Sequence, residues 1–81
     1  MTDFEKLEYL LEQIEANIER ISPKNSRLFC DVYLSSSFLF YGGSKIAVTI
    51  EEEGEDQELF VPIKVLESTE SIDEFILGAR L

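Results

Sequence analysis

Two apolar rhythms divide this chain, and the change between them at Pro23 constrains its fold more than any other feature. Before Pro23, the residues Phe4, Leu7, Leu11, Ile14, Ile18 and Ile21 recur at alternating steps of three and four, which places them on one helical stripe. Thr2 followed by Glu5 reads as a capping box with Thr2 at the N-cap. Pro23 stops the helix, because the residue before a proline is pushed out of helical geometry. The expected helix has roughly five turns and is about 27 Å long.

After Pro23 the period becomes two. The even positions read Leu28, Cys30, Val32, Leu34, Ser36, Phe38 and Phe40, and only Ser36 breaks the apolar series. The odd positions read Phe29, Asp31, Tyr33, Ser35, Ser37, Leu39 and Tyr41. Parity continues through the three serines, so one long, bent strand is expected rather than two short ones. Gly42 and Gly43 supply the positive φ angles of a tight hairpin. Ile46, Val48 and Ile50 then alternate with Ala47 and Thr49 as a second strand. Residues 51–58 read as a turn around Gly54, and Leu59, Val61, Ile63 and Val65 as a third strand. Pro62 has no N–H for a ladder, which places that strand at an edge. From Ser68 a short helix presents Ile72, Phe75, Ile76 and Ala79, with Ser71 and Glu74 as a second capping box and Gly78 near its end. The order is α-β-β-β-α, and the fold class is α+β, a three-stranded antiparallel meander packed against helices in a single domain, 1–81.

Composition then removes whole classes of function. Histidine is absent, and with it the usual general base and the commonest transition-metal ligand. Cys30 is the only cysteine, so no internal disulfide can form; it falls on the core parity and reads as a small buried hydrophobe. Gly42-Gly43-Ser44-Lys45 lacks the full phosphate-loop pattern and opens a strand, not a helix. No catalytic residue, cofactor or metal site is expected. No apolar run reaches the ~20 residues of a membrane span, and the acidic start is unlike a signal peptide, so a cytoplasmic place is expected. At 81 residues the core is small, and stability is modest or supplemented by association.

The formal net charge is −10, and its distribution matters more than its size. Residues 1–21 carry a net −4, residues 22–50 a net +2, and residues 51–60 six acids with no base. On the first helix, Glu5, Glu8, Glu12, Glu15 and Glu19 form a second stripe beside the apolar one. Successive carboxylates stand about 4.5–6 Å apart along the axis, near the scale of phosphate spacing. The stripe reads either as an imitation of a phosphate backbone or as a solvated face rich in a good helix former. The acidic run Glu51, Glu52, Glu53, Glu55, Asp56 and Glu58 does not match the calcium-loop pattern. It reads as a contact for a Lys/Arg cluster on a partner, or as charge that blocks edge-to-edge aggregation. Lys24, Arg27 and Lys45 are too few for a nucleic-acid footprint, so no direct nucleic-acid or membrane contact is expected. A third surface is the odd sheet face of Phe29, Tyr33, Leu39 and Tyr41, joined by Phe60 and Pro62. The second helix and the chain ends would cover that face; otherwise it is an interface, for example of a homodimer.

From Gly42-Gly43-Ser44-Lys45-Ile46 through Ser68-Thr69-Glu70-Ser71-Ile72, the layout of strands, acidic turn and helix resembles the small acidic inhibitors carried by bacteriophages, above all anti-CRISPR proteins that imitate nucleic acid. The resemblance implies a non-enzymatic inhibitor whose acidic loop and helix occupy the nucleic-acid channel of a basic, nucleic-acid-binding partner. The alternative is a homodimeric structural or adaptor protein that associates through the aromatic sheet face. The chain itself is expected as monomer or homodimer.

Overall fold

The first helix starts where its cap chemistry places it. In the computed structural model, which describes residues 2–22, 30–40, 44–52 and 54–81 (backbone only at 30 and 35–40), Thr2 is the N-cap of helix α1 (Asp3–Ala16). The Thr2 hydroxyl accepts the Glu5 N–H at 3.2 Å, and Glu5 Oε1 accepts the Thr2 N–H at 2.9 Å. The Thr2 backbone N–H, then the Thr2 hydroxyl, holds the Glu5 carboxyl below its ordinary range. That contribution is present above the usual glutamate pKa and is lost as pH falls through the lowered value.

The single long helix expected from the sequence is broken once. Asn17 leaves helical geometry (φ −114°, ψ 20°), and α2 (Ile18–Ile21) follows it. Its side-chain amide donates to the Gln13 carbonyl at 2.8 Å, which its own backbone N–H also bonds at 3.1 Å. Such side-chain competition for the i−4 carbonyl bends a helix. Helix α2 ends at Ile21 with Ser22 as its C-cap; Pro23, expected to stop it, lies outside the described residues. The buried stripe is also turned slightly from the expected one. Leu10, Ile14 and Ile21 are fully buried, Leu7 and Leu11 are half-buried, and Phe4 is 69% exposed.

Strands β1 (Cys30–Phe40), β2 (Lys45–Glu52) and β3 (Glu55–Pro62) form an antiparallel meander in the order β1-β2-β3. The first strand is a single element, as expected, but its parity is not continuous. Leu34 pairs with Val48, whereas Leu39 pairs with Ile46, so the register slips by three residues across the serine run. Three serines offer no apolar side chain to fix pairing, and an odd slip reverses the alternation. The third strand also differs from expectation: it begins at Glu55 and stops at Pro62, after which a 3-10 helix runs over Ile63–Glu67. Ile63 N–H still donates to the Ser44 carbonyl at 3.0 Å, which points the missing N–H of Pro62 away from β2, to the sheet edge. Helix α3 (Thr69–Gly78) is capped by Ser68, whose hydroxyl accepts the Ser71 N–H at 3.1 Å; the expected capping box at Ser71 and Glu74 does not form the start.

All three α-helices pack on one face of the sheet. Leu10, Ile14, Ile18 and Ile21 meet Ile72 and Ile76 over a floor of Ile46, Val48, Ile50, Leu59 and Val61. The described residues therefore form two layers, and α3 does not cover the opposite sheet face as the sequence led us to expect. Arg20 fastens the helical layer: its guanidinium donates to the Leu77 carbonyl at 2.8 Å and to the Ile76 carbonyl, satisfying the C-terminal end of α3 with a cation. Arg20→Ala is expected to lower stability by about 1–2 kcal/mol, a fall in Tm of roughly 5–10 °C for a domain of this size. Thermal unfolding followed by circular dichroism checks it, and an unchanged Tm would remove Arg20 from the account.

Candidate functional site

Strand geometry decides where the acidic run points. Residues 51–58 are not one loop: β2 continues to Glu52, β3 starts at Glu55, and Gly54 turns the chain at φ 85°. Residues along a strand alternate between faces, and cross-strand partners share one. The carboxylates are consequently divided. Asp31, Glu51 and Asp56 are consecutive partners across the three strands and lie on the face away from the helices. Glu58, opposite Thr49, lies on that same face and is exposed. Glu52 and Glu55 pair with each other on the helix side. Glu53 lies outside the described residues.

On the face that carries no helix among the described residues, the acids surround an aromatic. The Tyr33 hydroxyl donates to Glu51 Oε2 at 3.3 Å. Partial burial first, then the charges of Asp56 and Glu51, the bond to Glu51 and the charge of Asp31, push the Tyr33 phenol up from its ordinary value. Tyr33 is 41% exposed and Phe60 38%. Between them in the central strand lie the small residues Thr49 and Ala47, both buried, with Tyr33 and Glu58 flanking Thr49 and Phe60 opposite Ala47. Tyr33 and Glu58, one on each side, shade the shorter Thr49 between them. Tyr33 thus stands next to the row Asp31–Glu51–Asp56, and Phe60 lies on the same face two residues beyond Glu58 along β3. Among the described residues no group of three or more His, Cys, Asp or Glu is arranged to hold a metal ion. A side chain that can use both elements is a guanidinium or ammonium, which pairs with carboxylates and stacks on rings.

Glu5, Glu8, Glu12, Glu15 and Glu19 are all exposed, as the stripe requires. They stand on the helical layer, with the sheet between them and Asp31, Glu51 and Asp56. The two acidic sets therefore do not merge into one continuous surface. Glu5 is in addition engaged by Thr2 at the cap. Of the aromatic face expected from the odd positions, Tyr33 and Phe60 stand where they were placed. Phe29 and Tyr41 lie outside the described residues. Leu39 is paired with Ile46, the row continued by Val48 and Ile50, and so by register it does not join Tyr33.

Sequence reasoning missed two features. Glu52 is 1% exposed, and neither of its carboxylate oxygens has a hydrogen-bond partner among the described residues. It follows Ile46, Val48 and Ile50 in parity, a signal hidden by reading 51–58 as loop. The second is a polar cleft of about 340 Å³ between α1 and α3, lined by Tyr9, Gln13, Asn17, Asp73, Ile76 and Leu77. There the Tyr9 hydroxyl donates to Asp73 Oδ1 at 2.7 Å, and that bond chiefly raises the Tyr9 phenol. The cleft joins the two helices but contains a single carboxylate already engaged.

No family model matches the chain, and neither a curated protein nor a solved structure matches it. Among the described residues no helix is long and apolar enough to cross a membrane.

Proposed function

We propose that this chain is a non-enzymatic binding protein whose helix-free sheet face receives a cationic segment of a partner, of the kind that otherwise contacts nucleic acid. The observation that carries this reading is the row Asp31–Glu51–Asp56 laid across three strands beside Tyr33. Strands hold these carboxylates at fixed spacing, so the anionic surface needs no ordering when it binds. Tyr33 and Phe60 add flat apolar area on which an arginine can stack. The glutamate row of α1 contributes to the long-range field that steers a basic partner, and the sheet face makes the contact. An inhibitor that occupies a basic cleft, as anti-CRISPR mimics do, fits this arrangement with the sheet face as its working surface.

A homodimer through the same face is disfavoured by charge. It would bring Asp31, Glu51, Asp56 and Glu58 of two copies together, and like charges across an interface oppose association. Titration of the protein with a fluorescent oligoarginine peptide tests the reading. Since the screening length shrinks as salt rises, affinity is expected to fall at least about tenfold between ~0.05 M and ~0.5 M salt. Absence of binding at low salt, or affinity indifferent to salt, would refute it.

A further inference from the structure

The two edges of the sheet differ. Ile63 N–H donates to the Ser44 carbonyl, and in an antiparallel ladder bonded and non-bonded pairs alternate. The register therefore turns the backbone groups of Thr49 and Glu51 toward Tyr33 and Asp31. Those of Cys30, Val32 and Leu34 consequently point outward, away from β2. Strand β1 ends the sheet, and among the described residues none of these three bonds to another backbone group on that side. On β3, Pro62 interrupts the outward row by its missing N–H. From residue 30 to 34, β1 has no proline, lysine or bulge of the kind that normally blunts an edge, and its register slips only beyond Leu34.

We propose that an extended basic segment of the partner adds to β1 as a further, antiparallel strand; this rests on the reading that a cationic segment binds the sheet. Charge and alternation specify the occupant. Asp31 and Tyr33 put their side chains on the helix-free face, whereas Val32 and Leu34 are half-buried and pack against the core. Residues of the added strand opposite Asp31 and Tyr33 form non-hydrogen-bonded pairs with them, in which side chains approach most closely, with Cα atoms about 4.5 Å apart. An arginine opposite Asp31 sets its charge at the end of the row Asp31–Glu51–Asp56, and one opposite Tyr33 lies against the phenol ring. Apolar residues opposite Val32 and Leu34 continue the rows Val32–Ile50 and Leu34–Val48 and cover the two half-buried side chains. The partner segment that fits is therefore a run of alternating basic and apolar residues, held by main-chain bonds and selected by its alternate side chains. A second copy of the chain is a poor occupant, since two chains of net −10 repel.

Binding of a fluorescent peptide that alternates arginine with valine, and of two N-methylated forms of it, tests this on the full chain. In the added strand the valine N–H groups face Val32 and Leu34, and the arginine N–H groups face away. N-methylation of the valines is expected to weaken binding about tenfold or more, as the loss of several hydrogen bonds would, and N-methylation of the arginines about threefold or less. Hydrogen exchange of the Val32 and Leu34 amides, fast in the free protein, is expected to slow about tenfold or more when the unmodified peptide saturates the chain. Equal losses from both methylations, or Val32 and Leu34 amides that exchange unchanged in the complex, would overturn strand addition while leaving a cationic contact on the sheet face intact. Absence of binding by every peptide, oligoarginine included, would refute the underlying reading as well. Val32 and Leu34 amides already protected in the free chain would place another copy on this edge and would also overturn the proposal.

Discussion

Replacing Glu52 by methionine is expected to stabilise the protein, raising Tm by about 5–15 °C. A charged group inside a domain is normally held by a cation or several hydrogen bonds, because leaving water costs several kcal/mol otherwise. Glu52 is 1% exposed, and among the described residues its two oxygens have no hydrogen-bond partner. It continues the row of Ile46, Val48 and Ile50 toward the hairpin end of β2, where an unbranched apolar side chain of similar length fits the same space. Glu52→Gln, which removes the charge and keeps the shape, is expected to move Tm in the same direction by less. Differential scanning calorimetry of both variants decides the matter. A loss of stability in both would show that the carboxylate is held by a partner this account lacks.

The second large effect separates local recognition from bulk charge. Asp31→Asn/Glu51→Gln/Asp56→Asn and Glu8→Gln/Glu12→Gln/Glu15→Gln each remove three negative charges, one set from the sheet face and one from α1. A purely diffuse field would weaken oligoarginine binding equally in both. The geometry favours a different result: exposed ion pairs contribute ~0.2–1 kcal/mol each, and at about 0.5 kcal/mol apiece the sheet triple should lose about tenfold in affinity. The helix triple should lose about threefold or less, chiefly through a slower association rate. All six positions are at least partly exposed, so neither variant removes a fully buried group. Equal losses would reassign binding to the overall field.

Most of the architecture was legible in the residues, because it rests on periodicity and punctuation. Thr2 with Glu5 marked the helix start, the change of period marked the strands, and Ser68 stands where the last helix begins. The acidic run shows where such reading fails. Six carboxylates around Gly54 look like a solvated loop, yet a tight turn at Gly54 lets the ladder continue through Glu52 and Glu55. Once those residues are in strands, alternation sends Glu51 and Asp56 to one face and buries Glu52 on the other. The serine run failed for a related reason: parity read along one strand does not reveal a slip against its neighbour. Phe4 is a third case, for a periodic stripe assigns it to the core, whereas it stands 69% exposed outside the buried cluster.

The claim on which everything functional rests is that contact is made by the helix-free face of the sheet. Amide chemical-shift mapping of the labelled protein, titrated with the oligoarginine peptide, tests that most directly. The account predicts that the largest shifts fall on Asp31, Tyr33, Glu51, Asp56 and Phe60, with only small ones along α1. Shifts concentrated on Glu8, Glu12 and Glu15, with the sheet signals unmoved, would contradict it.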